Sequence, residues 1–216
     1  MKRNQRTVFG CLLLCLALFC LAGCGSSGRE FEPNGNGMYV SSEGKISTAF
    51  EVEIDQSYFS EADMKNFCET EVKEYNRSKG ASAVAYQEEA AEEEILPVAV
   101  KSFTYGRKAL LVLDYASPED YLAFNKKDET RAGSVMYAAA KNTTGLPDMR
   151  FVSVADGSQV TADSIIGDGK LKIVMIEGEQ NVQVQGKLVY YSDNVTVTGE
   201  DTAVTAAEGY SYLIFR

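Results

Sequence analysis

The sequence predicts an α+β protein with a mostly antiparallel sheet. Two segments in the first two-thirds of the chain begin with a helix cap and continue with helical spacing. The last third instead contains short apolar segments that are separated by turns rich in Gly and Asp. Short connections of this kind favour antiparallel neighbours. We therefore expect two or three helices in the first two-thirds and a C-terminal β-meander.

Alternating side chains predict the first strand at residues 45–55. Residues 46, 48, 50, 52 and 54 are Ile, Thr, Phe, Val and Ile, and they share one face of that strand. A hairpin follows at residues 98–115, with its turn at Tyr105-Gly106-Arg107. Its second strand contains the continuous apolar run Ala109–Leu113, which predicts a central position in the sheet.

The first predicted helix begins at Ser60, whose side chain can cap the first turn, and Phe59 is placed to pack on Met64. The helix should end near Gly80, and its apolar face should lie on the sheet. That face comprises Met64, Phe67, Cys68, Val72 and Tyr75. A second, shorter helix should begin at Ser117-Pro118, a cap followed by proline at the first helical position.

Residues 133–141 fit either a helix or a strand, and we favour a helix because Val135, Met136, Ala139 and Ala140 match helical spacing. Five strands are predicted after Pro147, where Gly and Asp turns separate segments of strand composition. These strands are Met149–Val154, Leu171–Ile176, Val182–Tyr191, Val195–Thr198 and Tyr210–Phe215.

The first 24 residues have the order of a secretory signal. Lys2, Arg3 and Arg6 precede an apolar run from Val8 to Ala22, and the segment closes with Leu21-Ala22-Gly23-Cys24. This leader resembles the signal peptide and lipobox of bacterial membrane lipoproteins. The resemblance implies that Cys24 is the lipidation site, that residues 1–23 are removed, and that the lipid holds the protein on the outer, extracytoplasmic face of a membrane. The alternative is an ordinary secretory signal with an incidental thiol at Cys24.

Composition divides the remaining chain into two parts. Residues 24–38 are rich in Gly, Ser and Asn and predict a flexible tether behind the anchor. Residues 39–216 should then form a single α+β domain. Outside the lipobox, the sequence suggests no named family.

Charge and residue content exclude several classes of function. The 31 Asp and Glu outnumber the 21 Lys and Arg, and this acidity disfavours nucleic acid as a partner. The chain has no histidine, which excludes Ser-His-Asp, Cys-His and His-zinc sites. After removal of the leader only Cys24 and Cys68 remain, and with Cys24 lipidated no intramolecular disulfide can form. No cofactor motif is present.

Three further features of the sequence are candidate sites. Cys68 fits a buried apolar position better than a nucleophile, because no histidine is available to activate it. The acidic run Glu88–Glu94 lacks the spacing of a calcium loop and predicts an exposed loop or short helix end, so no metal site is assigned. Tyrosines in the terminal strands could form a binding patch for protein or glycan, although half of each strand must face inward. They are Tyr190, Tyr191, Tyr210 and Tyr212.

These observations favour a non-enzymatic, lipid-anchored cell-envelope protein that binds an envelope protein or polymer. The alternative is a carboxylate-based enzyme acting on envelope or extracellular glycans, because glycoside hydrolysis requires paired acids and no histidine.

Overall fold

The computed structural model describes residues 30–33, 35–55, 60–126 and 132–216. Within these ranges it contains thirteen β-strands in two mostly antiparallel sheets and three α-helices, which confirms the α+β class. The strands are β1 Gly37–Val40, β2 Ile46–Glu53, β3 Val98–Tyr105, β4 Lys108–Tyr115, β5 Ser134–Ala139, β6 Phe151–Ser153, β7 Gln159–Val160, β8 Lys172–Glu177, β9 Asn181–Val184, β10 Leu188–Ser192, β11 Thr196–Val197, β12 Thr202–Val204 and β13 Tyr210–Phe215. The helices are α1 Glu61–Ser78, α2 Pro118–Asn125 and α3 Ala162–Gly167.

Sheet A has seven strands in the order β11-β12-β9-β1-β2-β4-β3. Its β1–β9 pair is parallel, and Met38 lies opposite Val182 in that pair. The hairpin β3–β4 forms at the predicted place, and β4 lies between β2 and β3 as the apolar run Ala109–Leu113 predicts. The other strand of the hairpin, β3, is the edge strand at this end of sheet A.

Sheet B has six strands in the order β5-β8-β13-β10-β6-β7, and its pairs are antiparallel. The main hydrophobic core joins the two sheets. It includes Val40 and Val184 of sheet A and Val174 and Leu213 of sheet B, all of them buried. A second, smaller cluster lies around Phe151, Ile165 and Ile214 and includes residues of α3.

Both predicted helices form with the expected caps. The hydroxyl of Ser60 accepts a hydrogen bond from the backbone N–H of Asp63, and the hydroxyl of Ser117 accepts one from the backbone N–H of Asp120. The proposed packing partner Phe59 lies outside the described residues. A third helix, α3, is capped by Thr161 and lies beyond the first two-thirds of the chain, where we expected strands and turns.

The prediction of a helix at residues 133–141 was wrong. Residues 134–139 form strand β5, which pairs with β8 from Ser134–Glu177 to Ala139–Lys172. Burial alternates as it does in a strand, because Val135 is 3% exposed and Met136 is 62% exposed. The backbone pairing with β8 therefore outweighs the helical preference of the alanines, a tertiary effect that propensity does not capture.

The single strand predicted at Val182–Tyr191 is two strands in different sheets. Strand β9 pairs with β1 and β12 in sheet A, whereas β10 pairs with β13 and β6 in sheet B. Gly186 lies between them with a φ of 115°. The predicted C-terminal meander is consequently present only in part: its strands are mostly antiparallel neighbours, but they are distributed over both sheets.

Residues at the end of the proposed tether contact sheet A. Strand β1 begins at Gly37 and Met38 is buried. Further back, the ring of Phe31 stacks on Tyr39 with 5.6 Å between centroids. The backbone N–H of Glu32 donates to Gln183 Oε1 at 3.1 Å, and Gln183 Nε2 donates to the carbonyl of Glu30 at 3.2 Å.

Candidate functional site

An apolar groove of about 680 Å³ lies between α1 and sheet A, and we call it the α1 groove. Its helix wall is formed by Met64, Phe67, Cys68 and Val72, which recur at helical spacing on one side of α1. The helix thus presents to the groove most of the stripe that the sequence predicts would lie on the sheet.

The sheet wall comes from one face of strands β2, β4 and β3. Cross-strand partners in an antiparallel pair share a face, and Leu111 is the partner of both Phe50 on β2 and Phe103 on β3. All three side chains line the groove. Along β2 the exposure on this face rises from 2% at Thr48, outside the groove, to 51% at Val52, which lines it.

The inner end of the groove is closed by an aromatic cluster. Phe124 of α2 lines the groove and makes edge contacts with Tyr75 of α1 and Tyr115 of β4, at 5.3 and 6.0 Å between centroids. Tyr121 contacts Tyr115 in the same way at 5.3 Å. Because Tyr115 and Tyr121 are at most 1% exposed, this cluster fixes the position of α2 against the sheet.

Near the C-terminal end of α1, Asn76 holds the helix against strand β3. Its Oδ1 accepts a hydrogen bond from the backbone N–H of Val98 at 3.0 Å. Its Nδ2 donates to the carbonyls of Val98 at 2.8 Å and Val84 at 3.0 Å. The side chain is fully buried, so this polar bridge holds the C-terminal part of α1 against the edge strand.

Two apolar side chains that line the groove are largely exposed to water. Phe67 is 65% exposed and Val52 is 51% exposed, although both line it. Large exposed apolar side chains grouped beside a concave apolar surface are typical of binding sites. Residues 56–59 connect β2 to α1 and residues 127–131 follow α2, and both segments lie outside the described part of the chain.

Every charged side chain among the described residues that line the groove is acidic. Asp63 and Glu71 of α1 line it, and both are exposed. Glu51 also lines it and forms an ion pair with Lys108. Among the described residues, no Lys or Arg lines the groove and no cation lies within ion-pair distance of Asp63 or Glu71. The site therefore combines an apolar interior with a negative rim.

Cys68 lies in this groove, half-buried. Burial raises the pKa of its thiol, and the neighbouring carboxylates of Glu69 and Glu71 raise it further against the opposing effect of a backbone hydrogen bond. A raised pKa keeps the thiol protonated near neutral pH and lowers its reactivity. The sequence favoured a buried apolar position for Cys68, whereas the structure places it half-buried on the wall of the groove.

A polar network on the opposite side of α1 involves Glu69, which accepts hydrogen bonds from Lys73 Nζ at 3.1 Å and from the hydroxyl of Tyr86 at 2.9 Å. These bonds lower the pKa of Glu69. Burial, followed by the bond to Glu69 and its charge, raises the pKa of Tyr86 to about 12.

This network predicts alkaline destabilisation. An unfolded tyrosine ionises near pH 10, whereas folded Tyr86 keeps its proton until about pH 12. The unfolded state therefore binds fewer protons between these values, and the free energy of unfolding should fall as the pH rises. Urea titrations at pH 8 and pH 11.5 measure how much of the free energy of unfolding is lost between the two pH values. This loss should be smaller for Tyr86→Phe than for the wild type. An equal loss in both proteins would contradict the prediction.

The four tyrosines of the predicted patch do not share one surface. Tyr190 and Tyr212 pack on the cluster around Phe151, and Tyr212 contacts Phe151 at 6.0 Å between centroids. Tyr191 packs on the opposite side of sheet B, against the main core. Tyr210 is 47% exposed, and the other three are partly buried.

The remaining sequence-predicted sites fall elsewhere. Cys24 lies outside the described residues. A short 3₁₀ helix, Gln87–Glu89, overlaps the start of the acidic run, and Glu94 accepts hydrogen bonds from the backbone N–H and the hydroxyl of Ser82. Within the described ranges, no group of three or more acidic or Cys side chains is arranged to hold a metal ion. None of the helices in those ranges is long and apolar enough to span a membrane.

Comparison of the chain with protein-family models, curated proteins and solved structures finds no match in any of the three.

The α1 groove was not predicted as a site. The sequence does contain its helix wall, but Phe67 and its neighbours were expected to be covered by the sheet. The available signal was the pair of acids at positions 63 and 71, each four residues from Phe67 and therefore on the same helix face. Acids that flank an aromatic residue in this way favour a solvent-exposed position for it.

Proposed function

We propose that the chain is a lipid-anchored cell-envelope protein that binds another molecule in the α1 groove and catalyses no reaction. The observation that carries this proposal is the groove itself, with a volume of about 680 Å³ and walls that are largely apolar. Ligand sites in proteins are typically concave, mostly apolar and 300–1,000 Å³ in volume. The absence of histidine from the whole sequence supports binding over acid–base catalysis.

The anchor part of the proposal places the domain at a membrane. Its support is the leader with Leu21-Ala22-Gly23-Cys24, which resembles that of bacterial lipoproteins. A lipid on Cys24 would hold the domain on the extracytoplasmic face, and the Gly- and Ser-rich residues that follow would give it reach. The partner is then an envelope protein or polymer within that reach. The acidic composition disfavours nucleic acid.

An enzyme acting on glycans remains the alternative. Asp63 and Glu71, the two acids of α1 at the groove, are eight residues apart. Eight helical residues span about 12 Å along the axis. Because the carboxyl pair of a glycosidase is separated by about 5–9.5 Å, Asp63 and Glu71 are spaced too widely along the helix to form such a pair, and the third groove carboxylate, Glu51, is held in an ion pair with Lys108.

The groove can be tested by photocrosslinking in intact cells. We expect benzoylphenylalanine at position 67 to form a discrete adduct in the full-length protein, because Phe67 lines the groove and is 65% exposed. The control carries the same group at Met136, an exposed apolar residue on sheet B that lies outside every predicted site. Adducts of equal yield at both positions, or none at position 67, would contradict binding in the groove.

The anchor has a separate test. Cys24→Ala removes the thiol that the lipobox resemblance marks for lipidation. We expect most of the wild-type protein in the membrane fraction of lysed cells. For variant molecules that have lost residues 1–23, the share found in the membrane fraction should be at least tenfold smaller, because a lipid anchor contributes about 0.8 kcal/mol per buried CH₂. Cys68→Ala provides the cysteine control and should fractionate like the wild type. Equal fractionation of the Cys24 variant would remove the anchor from the proposal.

A further inference from the structure

Shape and charge at the α1 groove restrict what can occupy it. Apolar occupants fall into two broad classes, acyl chains and apolar segments of polypeptide. We infer that the occupant is a short, basic, amphipathic helix of a partner protein. The inference rests on the proposed function, since it specifies what binds in the groove.

The length of the groove suits a short helix. Its helix wall extends from Asp63 to Val72, which is about 14 Å at 1.5 Å per residue. A partner helix lying beside α1 would cover this length with about nine residues. Helices normally cover the apolar face of a sheet, and the partly buried side chains of Phe50, Phe103 and Leu111 line the groove from a face of sheet A rather than along its edge. This geometry favours an added helix over an added strand.

The exposed part of Phe67 points to an occupant that extends beyond the cavity. A small molecule held entirely within the groove would leave the outer surface of Phe67 in water. A helix that packs on α1 would cover this side chain as well, since side chains of packed helices interdigitate at interaxial distances of about 8–10 Å. Helix-in-groove complexes use this arrangement, with apolar anchors at positions i, i+3 or i+4, and i+7.

Charge complementarity selects a basic partner. Asp63 and Glu71 stand four residues before and after Phe67, so the aromatic anchor is flanked by two carboxylates on one helix face. No Lys or Arg among the described residues lines the groove. Fatty acids and anionic lipids would place their head groups against this negative rim. A helix with Lys or Arg beside its apolar stripe would instead form ion pairs with it.

Defined peptides test this inference. The full-length protein is reconstituted in vesicles of neutral phosphatidylcholine, and protein-free vesicles provide the background. Three fluorescein-labelled peptides of 14 residues share one leucine stripe and carry Lys, Gln or Glu at the other positions. Binding is measured by fluorescence anisotropy in 50 mM and 500 mM NaCl, and dansylundecanoic acid serves as the acyl-chain probe.

We expect the Lys peptide to bind at least tenfold more tightly than the Glu peptide in 50 mM NaCl, and the difference to shrink in 500 mM NaCl as the charges are screened. The double variant Asp63→Asn/Glu71→Gln should reduce the preference to less than threefold. Glu74→Gln, an exposed acid of α1 outside the groove, should retain it. Phe67→Ser should weaken binding of the Lys peptide at least tenfold.

Three results would overturn the inference. Equal binding of the Lys and Glu peptides would contradict charge selection. Saturable binding of dansylundecanoic acid that Phe67→Ser abolishes, without peptide binding, would assign the groove to acyl chains and leave the proposed binding function intact. Failure of every probe, together with no adduct at position 67 in cells, would overturn the proposed function as well.

Discussion

Replacing Asn76 by aspartate should lower the free energy of unfolding by about 4 kcal/mol. The fully buried amide makes three hydrogen bonds to the backbone of Val84 and Val98. Aspartate is nearly isosteric, but it cannot donate to the two carbonyls when ionised, and each buried group left without a partner costs about 1–3 kcal/mol. Urea unfolding of purified protein near neutral pH measures the difference.

Asn66→Asp is the matched control for this experiment. Asn66 lies on the same helix and is exposed, so its replacement should change the free energy of unfolding by less than about 0.5 kcal/mol. If both variants were equally stable, the polar bridge between α1 and β3 would not hold the helix in place.

Replacing Gly186 by alanine should destabilise the protein by about 4 kcal/mol. Gly186 has a φ of 115°, a conformation that only glycine adopts without strain. A Cβ atom there would also overlap the backbone carbonyl oxygen of Arg216. That carbonyl accepts a hydrogen bond from the N–H of Lys187, and the N–H of Arg216 donates to the carbonyl of Lys187. The substitution therefore disturbs the point where the chain passes from sheet A to sheet B.

Gly157→Ala separates the cost of the positive φ from the cost of the overlap with Arg216. Gly157 also has a positive φ, 71°, but a Cβ atom there would meet no atom within 4 Å. Its replacement should cost about 1–2 kcal/mol, the left-handed penalty alone. Thermal or urea unfolding of both variants provides the comparison. Losses of equal size would show that the contact with Arg216 is unimportant.

Elements defined by neighbouring residues could be predicted from the sequence. The caps at Ser60 and Ser117 and the hairpin turn at Gly106 depend on side chains and backbone preferences within a few positions of each other. Such signals survive in the folded protein because the tertiary contacts agree with them. The α+β class followed from these elements together.

Elements defined by distant partners could not be predicted. Residues 134–139 become a strand through β8, more than thirty positions later, and the division of Val182–Tyr191 depends on β1 and β13. No local pattern records which sheet a strand joins. The same holds for the α1 groove, whose walls come from residues near positions 50, 67, 103, 111 and 124.

The position of β13 constrains when folding can finish. This strand, the last in the chain order, lies between β8 and β10 in sheet B and shares the main core with sheet A. Nascent chains commonly fold domain by domain from the N-terminus, but here sheet B cannot assemble until Tyr210–Phe215 has been synthesised. We therefore expect the described domain to complete its fold only after Tyr210–Phe215 has emerged from the ribosome. Pairings over such long separations also make folding slow compared with that of helical bundles.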